Sequence, residues 1–364
     1  MKLICDRPVL SEALAAISAV IVTRTPKPIL QCVRLTADSD CLTLTAYDQE
    51  VGMRYRVTHV EVSQPGETLV MAERLTSIVR ENTDETLALE TSDDLLHVRG
   101  RNAHYQIYGQ NVREFPPVPD FEGEPDFRVP MAKLVGAVDR TVFAAAREST
   151  RYAINGVMWE WKGKKLQFVA TDGRRLAWTG FSMDKAAGSD GKAIVPVKTL
   201  NLLAKLRSEP DDVIDVKLEP NQLLLRTPRA TISSVLVEGN FPNYEDVIPR
   251  DCTRTAEMST QEFLSAVRQT ALLTSEDSRG IRLSFGEEGL VLSSRVPEQG
   301  EARVQTEAKL KGSPIDIGFN PMYLLDALKV CQETVTLEMK EPSKPGVLRS
   351  GPEFLYVLMP LTLS

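Results

Sequence analysis

The chain has 364 residues, 42% hydrophobic and 26% charged, with 43 basic against 50 acidic residues and a formal net charge of −7. That length suggests two or three domains at ~100–200 residues each. That charge argues against a protein held to nucleic acid by its global charge, although a local basic surface stays open. Apolar runs fall far short of the ~20 residues of a membrane-spanning helix, so no membrane is expected. The N-terminal MKLICDRPVL, broken by Asp6, Arg7 and Pro8, has no signal-peptide plan. Five scattered cysteines without CxxC spacing and three histidines supply neither a disulfide framework nor a thiolate zinc site. No metal or cofactor is expected, and a reducing cytoplasm is the default compartment.

In chain order, a short opening strand leads into a helix on which Leu10, Leu14, Ile17 and Ile21 share one face. Strand-like alternation follows in CLTLTAYD, then a second helix in ERLTSIVRE anchored by Leu75, then REFPPV around Phe115. The same order returns as LVGAV from Leu134, KKLQFVATD, VKTLNLLAKLR around Leu200 and GNFPNY around Phe241. It returns again as FLSAV from Phe263, GLVLSSR, NPMYLLDALKV around Leu324 and VLMPLT around Met359. A period of about 125 residues exceeds that of solenoid repeats and gives each unit a core of its own. The prediction is α+β: three tandem domains of one fold at 1–120, 121–247 and 248–364, each with two helices packed on antiparallel sheet. Ser259-x-x-Glu262 reads as a capping box and Asn320-Pro321 as an N-cap before a first-turn proline.

The helices' polar sides carry charge. Lys133, Arg140 and Arg147 are seven apart, with Val135 and Val142 about 180° away. Lys198 and Lys205 are also seven apart, with Leu200 and Leu203 roughly opposite. The first unit adds Arg24, Lys27, Arg74 and Arg80, and the third a weaker set, Arg268, Arg279 and Lys329. For one helix a solvated face is the simpler reading. Two helices of one repeat doing the same favours a shared basic surface that meets nucleic acid through backbone charge, without reading bases.

Val169-Ala170-Thr171-Asp172-Gly173-Arg174-Arg175-Leu176-Ala177 offers a choice between a turn at Asp-Gly and a catalytic or metal-binding Asp172. No second acid or histidine sits at a recognisable spacing, so the turn is preferred. There is no glycine-rich phosphate loop, HExxH or GxSxG. PEQGEA and SEDSRG read as a polar loop and a turn. The C-terminal FLYVLMPLTL is almost wholly apolar: its early part reads as a buried strand, and Pro360 should leave the ladder, exposing apolar residues as a groove.

PKPIL, RYAING, VATDGRRLA, EGNFPNYEDVIP, SRGIRL, PEQGEA, FNPMYLLDAL and YVLMPLTL together resemble the bacterial β sliding clamp family, the processivity subunit of the replicative DNA polymerase. The resemblance implies a non-enzymatic protein of three like domains, two chains of which meet head to tail as a homodimeric ring around duplex DNA, helices lining the hole. It implies a groove for short linear motifs of the polymerase alpha subunit, the clamp loader, and other polymerases and repair proteins. The matching groove positions are Ile154, Thr171, Gly173, Arg174, Arg175, Leu176, Pro242, Val247, Val357, Leu358, Met359, Pro360 and Leu361. Those at the ring interface are Tyr105, Ile107, Leu272 and Leu273, and the DNA-facing candidates are Arg24, Lys133, Arg140, Arg147, Lys198 and Lys205. Asp246 and Thr362 stand where well-known members carry arginine, and Arg174 where they often carry histidine, so the groove's rim is less basic. The alternatives are a three-domain hydrolase using Asp172 and a monomeric scaffold that never touches DNA.

Overall fold

The computed structural model describes residues 1–147, 153–206, 209, 211–274 and 280–362. Among these, six α-helices and three antiparallel sheets of thirteen, nine and four strands account for the regular structure. The helices are α1 (Arg7–Ser18), α2 (Ala72–Glu81), α3 (Met131–Asp139), α4 (Val197–Lys205), α5 (Thr260–Ala271) and α6 (Pro321–Leu328). Two per repeat is the predicted number.

Contacts gather the chain into two compact units, one of Met1–Ala132 with Lys198–Leu236, the other of Lys133–Val197 with Val237–Ser364. The segment expected as 121–247 contributes to both. The reason is strand pairing across the expected borders. In the first unit Ala230–Val235 pairs with Val51–Val57, with Ala230 opposite Tyr55 and Ile232 opposite Met53. In the second, Arg175–Ser182 pairs with Phe354–Leu358, with Leu176 opposite Val357 and Trp178 opposite Leu355.

In the first unit the thirteen-stranded sheet carries α1 against the strands Leu42–Tyr47 and Val51–Val57, and α2 packs beside α1. Leu10, Leu14 and Ile17 are buried in that contact, as their spacing predicts. The Asp6 side chain accepts from the Val9 N–H at 3.0 Å and starts α1. The helix ends at Ser18, so Ile21 lies beyond it and is half-buried.

In the second unit α5 and α6 pack together, and α5 covers the strands Gly289–Val296 and Gly300–Thr306. Ser259 and Asn320 both act as N-caps, although the return bond from the Glu262 side chain that would complete a capping box is not seen among the described residues. Ser259 Oγ accepts from Glu262 N–H at 3.5 Å, and Asn320 Oδ1 from Met322 N–H at 2.9 Å with Pro321 in the first turn. SEDSRG lies outside the described residues except for Gly280, and so does Arg279.

α3 departs from its reading. It stops at Asp139, where Thr141 Oγ1 turns back to the Ala137 carbonyl at 2.8 Å. Its buried side is Met131, Leu134, Ala137 and Val138, while Val135 and Val142 are only half-buried. Arg140 and Arg147 therefore lie past the helix, and the seven-residue stripe is not a helical face. In α4, Leu200 and Leu203 are buried as expected.

Candidate functional site

The strand Lys165–Thr171 ends in a turn made by its own side chains. Asp172 Oδ1 accepts from the N–H groups of Arg174 (3.0 Å) and Arg175 (3.1 Å), and Thr171 Oγ1 from that of Gly173 (3.1 Å). Gly173 has φ +84°, which a side chain would oppose. Asp172 Oδ2 then takes the Arg175 Nε at 3.0 Å. Both carboxylate oxygens are thus engaged in holding the turn, as its sequence predicts.

The turn delivers the chain into Arg175–Ser182, whose neighbour Phe354–Leu358 ends where Met359 N–H bonds the Arg174 carbonyl at 3.0 Å. Between them and the short 3-10 helix Tyr244–Val247 lies an apolar pocket of about 250 Å³. Of the expected groove residues, Ile154, Thr171, Gly173, Arg174, Arg175, Leu176, Pro242, Val247, Val357 and Met359 line it. Leu176 and Val357 form its floor and continue into a buried cluster with Val169, Val347 and Leu355. Val247 and Met359 stay half exposed, an apolar rim open to solvent.

Three expected members lie elsewhere. Leu358 alternates to the opposite face of its strand from Val357 and is wholly buried. Pro360 and Leu361 line a neighbouring depression of about 410 Å³ with Arg282, Asp316 and Gly318. Leu361 N–H bonds the Gly318 carbonyl at 2.8 Å, so the tail leaves the ladder at Pro360 and is fixed again one residue later. Asn243 and Tyr244 line the pocket and were not foreseen, although they sit in the FPNY marker between two expected positions. The Tyr244 hydroxyl donates to Glu160 Oε2 at 3.2 Å, and burial together with that carboxylate pushes it well above the ordinary tyrosine range.

The pocket's charge is organised by Arg175. Its Nη1 donates to Asp326 Oδ2 at 2.9 Å and its Nη2 to the Phe143 carbonyl at 2.7 Å, and its guanidinium lies 4.4 Å from the Tyr323 ring centre. Burial opposes its charge, but the Tyr356 hydroxyl and the carboxylates of Asp326 and Asp172 outweigh burial and hold it protonated well above its usual range. Arg175, expected as a groove residue, is therefore also a structural pin. Beside the pocket Arg174 is an exposed cation and Asp246 an exposed anion, whose Oδ2 accepts from Asn243 Nδ2 at 2.6 Å.

The basic candidates divide. Arg24, Lys133, Arg147 and Lys205 are exposed. Arg140 is half-buried, 3.9 Å from Glu353. Lys198 is committed to Asp48, a carboxylate only 5% exposed, and also donates to the Val20 carbonyl at 3.2 Å.

Of the interface candidates, Leu272 is 81% exposed just past the end of α5, and Leu273 is half-buried beside Gly300. Gly300–Thr306 pairs only with Gly289–Val296, leaving one edge open among the described strands. In the other unit, His104–Gln110 pairs with Leu95–Arg99 over His104–Tyr108 but with Gly66–Met71 only through Gly109 and Gln110. Its Tyr105 is at the surface, whereas Ile107 is 7% exposed and belongs to the interior. Tyr108, 79% exposed on the same strand, is the large apolar surface that the sequence reading missed. Alternation sets it on the opposite face of the strand from Tyr105 and Ile107.

Three domain descriptions of the DNA polymerase III beta subunit match in succession: the N-terminal domain over residues 1–119, the central domain over 128–243 and the C-terminal domain over 245–362. The chain is 31% identical over 367 residues to a beta sliding clamp of Pseudomonas aeruginosa and 29% identical over 369 residues to one of Vibrio cholerae, with all of each chain covered. Among solved structures it is similar to a Pseudomonas aeruginosa sliding clamp bound to griselimycin (31% identity, TM-score 0.94) and to a Bacillus subtilis DNA polymerase sliding clamp (25% identity, TM-score 0.95). Both are covered in full.

Proposed function

The chain belongs to the DNA polymerase III beta subunit family, the beta sliding clamps, and from that premise we propose which of its residues do the work. Its function is processivity in DNA replication, exerted by binding to DNA, to the polymerase and to a second copy of itself, without catalysis. The full-length match through three consecutive beta-subunit domains is the observation that carries this reading.

We read the repeats as domains 1–120, 121–247 and 248–364; the matched spans end close to those borders. Head-to-tail closure then joins two open strand edges, His104–Gln110 of one copy and Gly300–Thr306 of the other. Pairing removes the liability of unpaired edges. Tyr105, Tyr108, Leu272 and Leu273 supply the apolar contact beside that seam, and Ile107 supports it from within. Duplex DNA meets Arg24, Lys133, Arg147 and Lys205 through its phosphates, with Arg140 secondary and Lys198 holding α4 in place. The pocket floored by Leu176 and Val357 takes the apolar anchor of a short linear motif from a polymerase, the clamp loader or a repair protein. The depression at Pro360 and Leu361 receives the residues flanking that anchor.

No described helix is long and apolar enough to cross a membrane, and we place the protein at the DNA of the bacterial cytoplasm. The test is retention on closed circular against linearised duplex. A clamp stays on the circle and runs off the free ends; equal retention on both would remove the topological reading.

A further inference from the structure

The thirteen-stranded sheet carries a second polar surface on the face turned away from α1. The Tyr55 hydroxyl reaches Glu12 of α1 at 3.1 Å, so its neighbours Arg54 and Arg56 point to the opposite side. There, five adjacent strands present one unbroken cross-strand row: Arg34, Thr45, Arg54, Thr231 and Arg226, each directly opposite the next. Strands lie ~4.8 Å apart, so an arginine recurs every second strand, ~10 Å from the last. The row lines a cavity of about 490 Å³, bounded on one side by the segment that carries Val118 and Phe121.

The lining is rich in donors. It contains four arginines against two carboxylates, Asp38 and Asp120, in a protein whose net charge is −7. Arg54 Nη2 donates to the Val118 carbonyl at 2.6 Å, and Arg226 lies 4.2 Å from the Phe121 ring centre, so both guanidinium planes are held in place. Arg226 is held by the mostly buried Asp215, whereas Arg34 and Arg54 have the more exposed partners Glu67 and Asp120. Pairs of the latter kind are weakly held and can be exchanged for a stronger acceptor. Arg56 has no carboxylate within ion-pair distance, and the Thr45 and Thr231 hydroxyls have no hydrogen-bond partner, among the described residues.

We propose that this row binds a di- or triphosphate group, free or carried by a nucleotide. Phosphate offers several acceptor oxygens to guanidinium forks, and a chain of two or three phosphates bridges arginines set on alternate strands. The site is separate from the helix-bearing side to which duplex DNA is assigned, and it does not depend on that assignment.

The test is titration calorimetry of the intact dimer at low salt with pyrophosphate, with ATP and with an unphosphorylated single-stranded oligonucleotide. Saturable binding of pyrophosphate and ATP is expected. Pyrophosphate alone shows that free phosphate suffices, and markedly tighter ATP shows that a nucleotide is the preferred source. R34Q/R226Q should weaken binding at least tenfold, and T45V/T231V severalfold with every charge kept, while R147Q/K205Q should leave it unchanged. If R34Q/R226Q does not fold, T45V/T231V decides. Three results would overturn the proposal: no saturable binding of either phosphate ligand at millimolar concentration, binding of the oligonucleotide alone, or loss in R147Q/K205Q with the row variants unaffected.

Discussion

Arg175 Nη1 donates to Asp326 Oδ2 at 2.9 Å, and that bond ties the turn beside the pocket to α6, 151 residues away in sequence. The same guanidinium holds Asp172 and the Phe143 carbonyl. The pocket's shape is therefore set from three separate segments. Asp326→Asn should preserve the fold, because Asp172 remains. It should cost about 1–3 kcal/mol, since a mostly buried charge loses one of its two carboxylate partners. Thermal melts read the stability, and titration with a peptide carrying a linear motif should show a matching loss of affinity. Unchanged affinity with lowered stability would separate the pin from the groove.

The turn and the pocket's lining were legible in the sequence for different reasons. Asp172 and Gly173 announce themselves locally, because an Asx turn and a positive φ need only neighbouring residues. Asp326 left no such sign: its link to Arg175 depends on tertiary packing. Strand alternation explains Leu358, which sits between two pocket residues and must face the other way. The α3 stripe failed because seven-residue spacing between like charges says nothing about where a helix stops. Thr141, whose hydroxyl returns to Ala137, ended it first. The caps of α5 and α6 were readable because capping is local chemistry.

Lys198 and Lys205 should separate when each is replaced by alanine. Lys198→Ala leaves Asp48 nearly buried with only the N–H groups of Glu50 and Val51 as donors to its Oδ1. A loss of about 1–3 kcal/mol in stability is expected from such a group. Lys205 is exposed, so Lys205→Ala should leave the melt within about 0.5 kcal/mol of wild type. It should instead weaken DNA retention, more steeply at low salt. Equal melts for the two variants would remove the structural role given to Lys198.

Acid should act through Asp215. Burial raises its affinity for a proton, but hydrogen bonds from Arg226 and Arg128 outweigh burial and hold the carboxyl below its ordinary range. A depressed folded-state value stabilises above the unfolded value of ~3.9 and is lost as pH falls through the folded one. Wild type should therefore lose this contribution below about pH 4, the ordinary carboxylate range. Asp215→Asn should lack it at neutral pH and show a flatter acid limb in a melt series. Parallel acid limbs for the two proteins would contradict the assignment.

Leu272→Asp with Leu273→Asp should give a folded monomer. Leu272 is 81% exposed, so the free chain does not need it, whereas an apolar interface cannot accept an unpaired carboxylate. Tyr108→Asp should weaken the dimer on the opposite side of the seam, and its effect should not add fully to that of the leucines, because the residues share one contact. Sedimentation as an intact dimer at micromolar concentration would count against the seam.

Removing Met359 to Ser364 distinguishes a groove from a buried end strand. Phe354–Leu358 remains paired with both of its neighbours after the cut, and its side chains are buried, so the core of the second unit keeps its closing strand. What is lost is the Met359 N–H bond to the Arg174 carbonyl, the Leu361 N–H bond to the Gly318 carbonyl, and the half-exposed Met359 side chain at the pocket rim. Two net hydrogen bonds near the surface are worth about 1–3 kcal/mol together, a melt shifted by a few degrees but still cooperative. Motif binding should fall much further, because the pocket loses one apolar wall and the neighbouring depression loses Pro360 and Leu361. Arg174→Ala in the full-length chain provides the contrast. It keeps every apolar wall and removes the exposed cation beside the pocket, so affinity should fall mainly for motifs with acidic flanks. A truncated chain that binds as tightly as wild type would show that the tail belongs to the third domain's core alone.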